Sequence, residues 1–311
     1  MHARKVTVSR TAPAAALLAA VGALAAGNAS GDPAAAARAA AQDLPPVNAA
    51  TSLLVVAPHP DDETLCCAGL IQRVVHAGGH VSVVWLTSGD GSELDMLFIE
   101  HRPFAAPAKA LELGARRMRE ARAAASLLGV PAERQLFLGF PDRGVLKLLT
   151  INRTTPYRSG FTGATAVPYP DALFPGHPYT GESLERDFAA LLARVAPTLI
   201  LAPTPRDAHP DHRAAGLLAT AAVARLAGSV QLRFWIVHGG EGWPSPRGLE
   251  PGVPLTPAPR IRGVTPAVFA LEPAEEDRKL AALRAYNTQM QVLTPFLLAF
   301  VRSTELFAAD P

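Results

Sequence analysis

The chain has 311 residues, with 29 basic against 27 acidic, and 49% of its residues are hydrophobic while only 6% are aromatic. Alanine supplies much of that apolar fraction, and beyond the N-terminus the apolar runs are broken by charge or proline, which excludes a polytopic membrane protein and points to a globular Ala-rich α/β chain. A net charge of +2 without any basic run gives no electrostatic basis for a nucleic-acid partner.

Residues 1–29 have the order of a secretory signal peptide: Arg4, Lys5 and Arg10, an apolar run from Pro13 to Ala26, then small residues, with cleavage expected between Ala25 and Ser30. The 14-residue run falls short of the roughly 20 needed to cross a bilayer core. Export with cleavage, to the periplasm or medium, is therefore expected, with an uncleaved N-terminal anchor as the alternative and no integral span in the mature chain. No cysteine lies near the leader, which argues against a lipid anchor. Cleavage takes the basic count from 29 to 26 against 27 acids, so the mature protein is near neutral. Residues 30–49, rich in Ala and Pro, read as a linker, and 50–311 as one folded domain.

The domain opens with "SLLVVA" (52–57), an apolar run suited to a strand buried on both faces. A helix over 64–79 closes on glycines, and "HVSVVWL" (80–86) is a second strand, so the first unit is βαβ and the sheet parallel. The adjacent Cys66 and Cys67 fall on that helix about 100° apart, which predicts two small buried residues rather than a mutual disulfide or shared metal. A helix over 116–129, a strand over 134–140, a helix over 183–195, a strand over 197–202, a helix over 212–228 and a strand over 232–238 continue the alternation. Helices over 275–293 and 295–307 complete the chain. The expected architecture is a doubly wound, Rossmann-like α/β domain with a mostly parallel sheet. Long loops over 87–115, 141–181 and 239–273 leave from carboxyl ends of strands, the ligand side of such a sheet.

Two acid–histidine groups follow strands. His59-Pro60-Asp61-Asp62-Glu63 comes after "LLVVA", and Asp207-Ala208-His209-Pro210-Asp211-His212 after "LILAPTP". Capping of a helix by Asp62, with Glu63 in the first turn, would account for the first group alone. It does not account for the second, with its own proline at another strand end. A catalytic zinc takes three N or O ligands and keeps a position open for water, and His59, Asp62 and His212 would supply two imidazoles and a carboxylate. Adjacent acids cannot easily point the same way, so one can bind metal while the other serves as general base. His209, three residues before His212, can reach the same pocket and, as an imidazolium, stabilise an oxyanion or protonate a leaving amine.

"PHPDDETL" and "DAHPDHRAAG" resemble the PIG-L/LmbE-like family of zinc-dependent N-deacetylases, and the resemblance runs from about residue 50 to 307. Supporting stretches are "LTSGDGSE" (86–93), "RMREARAAASLLGV" (117–130), "LGFPD" (138–142), "KLAALRAYNTQM" (279–290) and "FVRSTELF" (300–307). It implies zinc on His59, Asp62 and His212, a general base at Asp61, a charge-stabilising His209, and Asp211 orienting the His209 ring. The implied activity is hydrolysis of an N-acetyl group on a GlcNAc-containing small molecule, glycolipid or glycan, with no nucleic-acid partner. A metal-dependent glycosyltransferase is the rival enzyme class, although residues 57–63 carry no Gly-rich phosphate turn. A non-catalytic sugar-binding protein on the same fold is the other alternative.

Among secondary candidates, His238 ends a strand on the same rim, and Asp142 directly follows another. Arg117 and Glu120 read as an i, i+3 helix pair, and His76 and His80 as surface residues of the opposite rim.

Overall fold

The computed structural model describes residues 44–91, 106–226 and 230–310. The signal peptide expected over 1–29, residues 30–43 of the linker and residues 92–105 of the first long loop lie outside the described residues.

The strands β1 (Ser52–Ala57), β2 (His80–Thr87), β3 (Gln135–Phe140), β4 (Leu199–Pro203) and β5 (Gln231–Trp235) form one sheet in the order β3-β2-β1-β4-β5. All four neighbouring pairs are parallel. Helices cover both faces, so Leu53 to Ala57 of β1 are wholly buried, as an uninterrupted apolar run requires. The helices are α1 (Asp62–His76), α2 (Pro107–Leu127), α3 (Val145–Thr150), α4 (Gly181–Val195), α5 (Pro210–Val223), α6 (Pro273–Arg284) and α7 (Asn287–Leu298). α1 and α2 pack with α6 in one layer, and α3 and α4 pack with α5 in the other.

Strand order reverses between β1 and β4, which pair directly from Leu53–Leu199 to Val55–Leu201. The chain leaves β1 toward α1 and β4 toward α5 on opposite faces, and the crevice between those departures is where doubly wound sheets bind ligands. Both acid–histidine groups stand at this switch point. α5 approaches β4 very closely at Gly216, where an added Cβ would lie 2.3 Å from the Pro203 carbonyl oxygen. That contact seats the helix one turn beyond His212 directly against the strand.

The C-terminal part departs from the expected two helices. The segment over 275–293 is broken at Tyr286, whose ψ of 67° leaves the helical region. The segment expected as a helix over 295–307 ends at Leu298 with α7, and Thr304–Phe307 is instead a strand, β7. β7 pairs antiparallel with β6 (Ala267–Ala270), a strand inside the loop expected over 239–273. A four-residue buried strand has too few positions to show a period of two, and its partner is remote in sequence. The first two expected loops also contain helix: α2 begins at Pro107, with proline in its first turn, and α3 lies inside 141–181.

Cys66 and Cys67 are buried in α1, but their sulfurs are bonded to each other, contrary to the expectation from their angular step. Sequence neighbours lie only 3.7 Å apart at Cα, which brings the two sulfurs within reach despite that step.

Candidate active site and metal centre

After β1 the chain turns through His59 and Pro60 and enters α1 at Asp61, which has φ 120° and ψ −30°. That φ lies where side-chain-bearing residues rarely sit. Neither acid acts as the expected helix cap. Asp61 stands at the cap position without a side-chain capping bond. Asp62 turns its Oδ2 back to accept the His59 main-chain N–H at 2.8 Å. Glu63 is buried and accepts from Trp85 Nε1 at 2.9 Å and from the Tyr286 hydroxyl.

Across the switch point, His209 and Pro210 start α5 and place His212 on its first turn, fully buried. Three atoms then converge. His59 Nδ1 lies 3.2 Å from His212 Nε2, and Asp62 Oδ2 lies 3.4 Å from the former and 3.3 Å from the latter. Ligand bonds of 2.0–2.1 Å to a tetrahedral ion set the donor atoms about 3.3–3.4 Å apart. The triangle therefore has the edge length of one face of such a site. The donor set, two imidazoles and one carboxylate, fits a catalytic centre with a fourth position for water or substrate.

Each ring is held from behind by acids. His212 Nδ1 faces Asp207 Oδ2 at 3.3 Å, and His59 Nε2 faces Asp142 Oδ1 at 3.3 Å and Asp211 Oδ2 at 3.5 Å. An acid at the far nitrogen keeps the proton there and leaves the near nitrogen as the donor toward metal. Asp207 is itself fixed by main-chain N–H groups of His209 at 2.8 Å and of Val237 and His238, both at 3.1 Å. Asp142 Oδ2 accepts from Gly91 N at 2.9 Å.

The Asp211 carboxylate does not orient the His209 ring. It accepts from Arg143 N at 2.6 Å and Val145 N at 3.0 Å, satisfying the start of α3. Asp211 touches His209 through its main-chain N–H, which donates to His209 Nδ1 at 3.3 Å. This bond leaves Nε2 as the protonated nitrogen of a neutral ring.

Burial works against charge on His212, but Asp62 and Asp207 overcome it and push its pKa up to about 9. Burial alone would raise Asp62, yet the two histidine rings hold its carboxyl well below the usual range. A cation bound at the triangle would take the place of these protons. Burial and the charge of Asp62 raise Asp61 well above the carboxylate norm. Burial, with His59, His212 and His238 close by, lowers His209 to about 2. His209 is thus a neutral N–H donor here, not the expected imidazolium.

These groups open on a cleft of about 230 Å³. Asp61, His209, His238 and Arg143 line it on the polar side, and Leu293 and Phe296 of α7 form an apolar wall. His238, the rim candidate of the last parallel strand, stacks on Phe296 with ring centroids 6.0 Å apart. Arg117 and Glu120 bind other elements: Arg117 donates to the Gly89 and Pro60 carbonyls, and Glu120 accepts from Thr288. His76 and His80 are exposed, as expected. The motif alone gives Asp207 no role, and its place opposite His212 follows only from the fold.

The family model described as PIG-L, GlcNAc-PI de-N-acetylase, matches residues 54–223, and both acid–histidine motifs lie inside that span. The chain belongs to the PIG-L family. It is accordingly an N-deacetylase, a hydrolase of amide bonds, and the glycosyltransferase and non-catalytic readings are not favoured. A 1D-myo-inositol 2-acetamido-2-deoxy-α-D-glucopyranoside deacetylase from Saccharomonospora viridis is 32% identical over 253 residues, covering 77% of this chain and 85% of the relative. An enzyme of the same name from Kribbella flavida is 29% identical over 281 residues, covering 78% and 84%. In structure, the chain is similar to N,N'-diacetylchitobiose deacetylase from Pyrococcus horikoshii, with a TM-score of 0.52, 20% identity and 82% of each chain covered. At that identity the likeness speaks for the fold. A 4-carboxy-2-hydroxymuconate hydratase matches with a TM-score of 0.50 and 19% identity, covering 80% of this chain and 82% of that one, so fold alone does not choose the reaction.

Proposed function

We propose that the protein uses zinc, held by His59, Asp62 and His212, to remove the N-acetyl group from a GlcNAc-containing glycoconjugate. The observation that carries this reading is the triangle of donor atoms with 3.2–3.4 Å edges, backed by acids behind both rings. The relatives' named substrate, an N-acetylglucosaminyl inositol, supports the acceptor class.

When bound, zinc polarises the amide carbonyl and lowers the pKa of water from 15.7 toward about 7. Asp61, raised by burial and aimed into the cleft, takes the proton as water adds to the carbonyl carbon. His209 donates its Nε2 proton in a hydrogen bond to the carbonyl oxygen as negative charge develops there. The C–N bond then breaks, the amine leaves with the proton that Asp61 took from the water, and acetate remains. Asp142, Asp207 and Asp211 hold the two metal-binding rings and the α3 turn in place. The apolar wall of Leu293 and Phe296 suits the face of a sugar ring, and Arg143 on the polar side suits its hydroxyls.

The test is acetate release from a panel of N-acetylated amino sugars by protein of known zinc content. The panel includes 1D-myo-inositol 2-acetamido-2-deoxy-α-D-glucopyranoside and N,N'-diacetylchitobiose. Turnover of at least one member, abolished by chelation and restored by zinc, is expected. Acetate release that persists after complete metal removal would contradict the reading.

A further inference from the structure

Asp61 keeps its φ of 120° in a turn whose anchors can be traced one by one. On its C-terminal side, the Asp61 carbonyl accepts from Thr64 N at 3.0 Å and Leu65 N at 2.9 Å. On its N-terminal side, the ring of Pro60 fixes that residue's own φ. The remaining freedom is rotation of the planar peptide between Pro60 and Asp61, which changes φ of Asp61 directly. The handle of that plane is the buried Pro60 carbonyl.

Two side chains hold it. Gln289, on the first turn of α7 and fully buried, donates from Nε2 to the Pro60 oxygen at 2.7 Å, and Arg117 Nη2 reaches the same oxygen at 3.3 Å. The Gln289 amide is oriented in turn, because its Oε1 lies 2.5 Å from the Thr288 hydroxyl. Thr288 is pinned by Glu120 of α2, whose carboxylate accepts the Thr288 main-chain N–H at 3.2 Å. A chain of buried contacts thus runs from α2 through the start of α7 to the peptide that sets the direction of Asp61. Backbone outliers of this kind are unfavourable by themselves and persist where surrounding structure over-determines them.

We propose that Gln289 is a positioning residue for deacetylation, which, through the Pro60 carbonyl, holds Asp61 in its strained conformation with its carboxyl aimed into the cleft. This rests on the reading of Asp61 as the base.

The experiment uses Gln289→Leu, which removes the donor, and Gln289→Glu, which keeps the size but loses the donor when ionised. Crystal structures of the zinc-loaded variants should show the Pro60 carbonyl turned and Asp61 outside positive φ. This readout needs no substrate. With 1D-myo-inositol 2-acetamido-2-deoxy-α-D-glucopyranoside, kcat per zinc-loaded site should fall roughly 10–100-fold while KM changes by less than about threefold. In an Asp61→Asn background the same substitutions should change the residual rate by less than about twofold, because Gln289 acts through Asp61. An unchanged Asp61 backbone, an unchanged kcat, or an equal loss in both backgrounds would overturn the proposal. A Gln289→Leu chain that does not fold leaves the same three readouts to Gln289→Glu. If Asp61→Asn alone retained full turnover, the base assignment would fail, and the crystal structures would still decide whether Gln289 sets the turn.

Discussion

Asp207→Asn isolates the support behind one ring of the proposed metal site. Asp207 is wholly buried and faces His212 Nδ1 at 3.3 Å. Asparagine keeps the shape and one acceptor oxygen, so most of the main-chain bonds from His209, Val237 and His238 survive. What is lost is the ionised acceptor that fixes the tautomer of His212 and raises its basicity. Loss of such a partner typically weakens metal binding about 10–100-fold, or roughly 1.4–2.7 kcal/mol. The assay is competition for zinc against a fluorescent chelator near neutral pH, which requires no substrate. Asp142→Asn, behind the other ring, should weaken binding within the same range. Asp187→Asn serves as the control: Asp187 is equally buried but pairs with His177, outside the cleft, so zinc affinity should not move. A zinc Kd for Asp207→Asn within about twofold of wild type would refute the idea that this carboxylate supports the metal centre.

Three further outcomes follow from other parts of the molecule. Lys279 and Glu305 form a buried pair at 2.9 Å that binds the α1 backbone, with Lys279 donating to the Leu65 carbonyl and Glu305 accepting from Gly69 and Leu70 N–H. Because Glu305 keeps those two donors, Lys279→Met should cost near the lower end of about 3–5 kcal/mol, lowering Tm by roughly 6–12 °C; a shift under about 2 °C in a thermal melt would contradict this. Burial tends to raise Glu275, but two hydrogen bonds from Arg73 hold it below its ordinary 4.5, so that pair stabilises the fold above that value and the benefit is lost as pH falls below it. For this half-exposed pair the stability difference between wild type and Arg73→Gln should be roughly 1 kcal/mol or less at neutral pH and vanish in acid; a gap that widens on acidification would reverse the assignment. We propose that residues 1–29 are a cleaved export signal: mass spectrometry of the protein recovered from its own cells should find the N-terminus between Ala25 and Ser30, and recovery of the intact leader in a membrane fraction would favour the anchored alternative.

Much of this was legible in the residues because the informative signals are local. Apolar-rich runs marked the five parallel strands, and chain alternation dictated a doubly wound sheet, which places the ends of β1 and β4 together wherever the intervening loops go. His59, Asp62 and His212 meet there for that reason, 153 positions apart along the chain. The signals that failed are long-range. α3 is started by the Asp211 carboxylate from another helix, β7 is a strand because β6 pairs with it, and the break at Tyr286 places a hydroxyl on Glu63. The place of the Asp211 carboxylate is not legible in the motif, because its partners Arg143 and Val145 are remote in sequence and only its main chain meets His209. The charge of His209 was misread because several buried histidines crowd one cleft, and only the fold brings His238 beside it.

The most direct measurement is anomalous diffraction at the zinc edge from crystals of the zinc-loaded protein. One strong peak is expected, bonded to His59 Nδ1, Asp62 and His212 Nε2. Asp207, His212 and His238 also lie close enough to hold an ion. A sole peak on that second group, with the His59–Asp62–His212 triangle left without metal, would contradict that assignment.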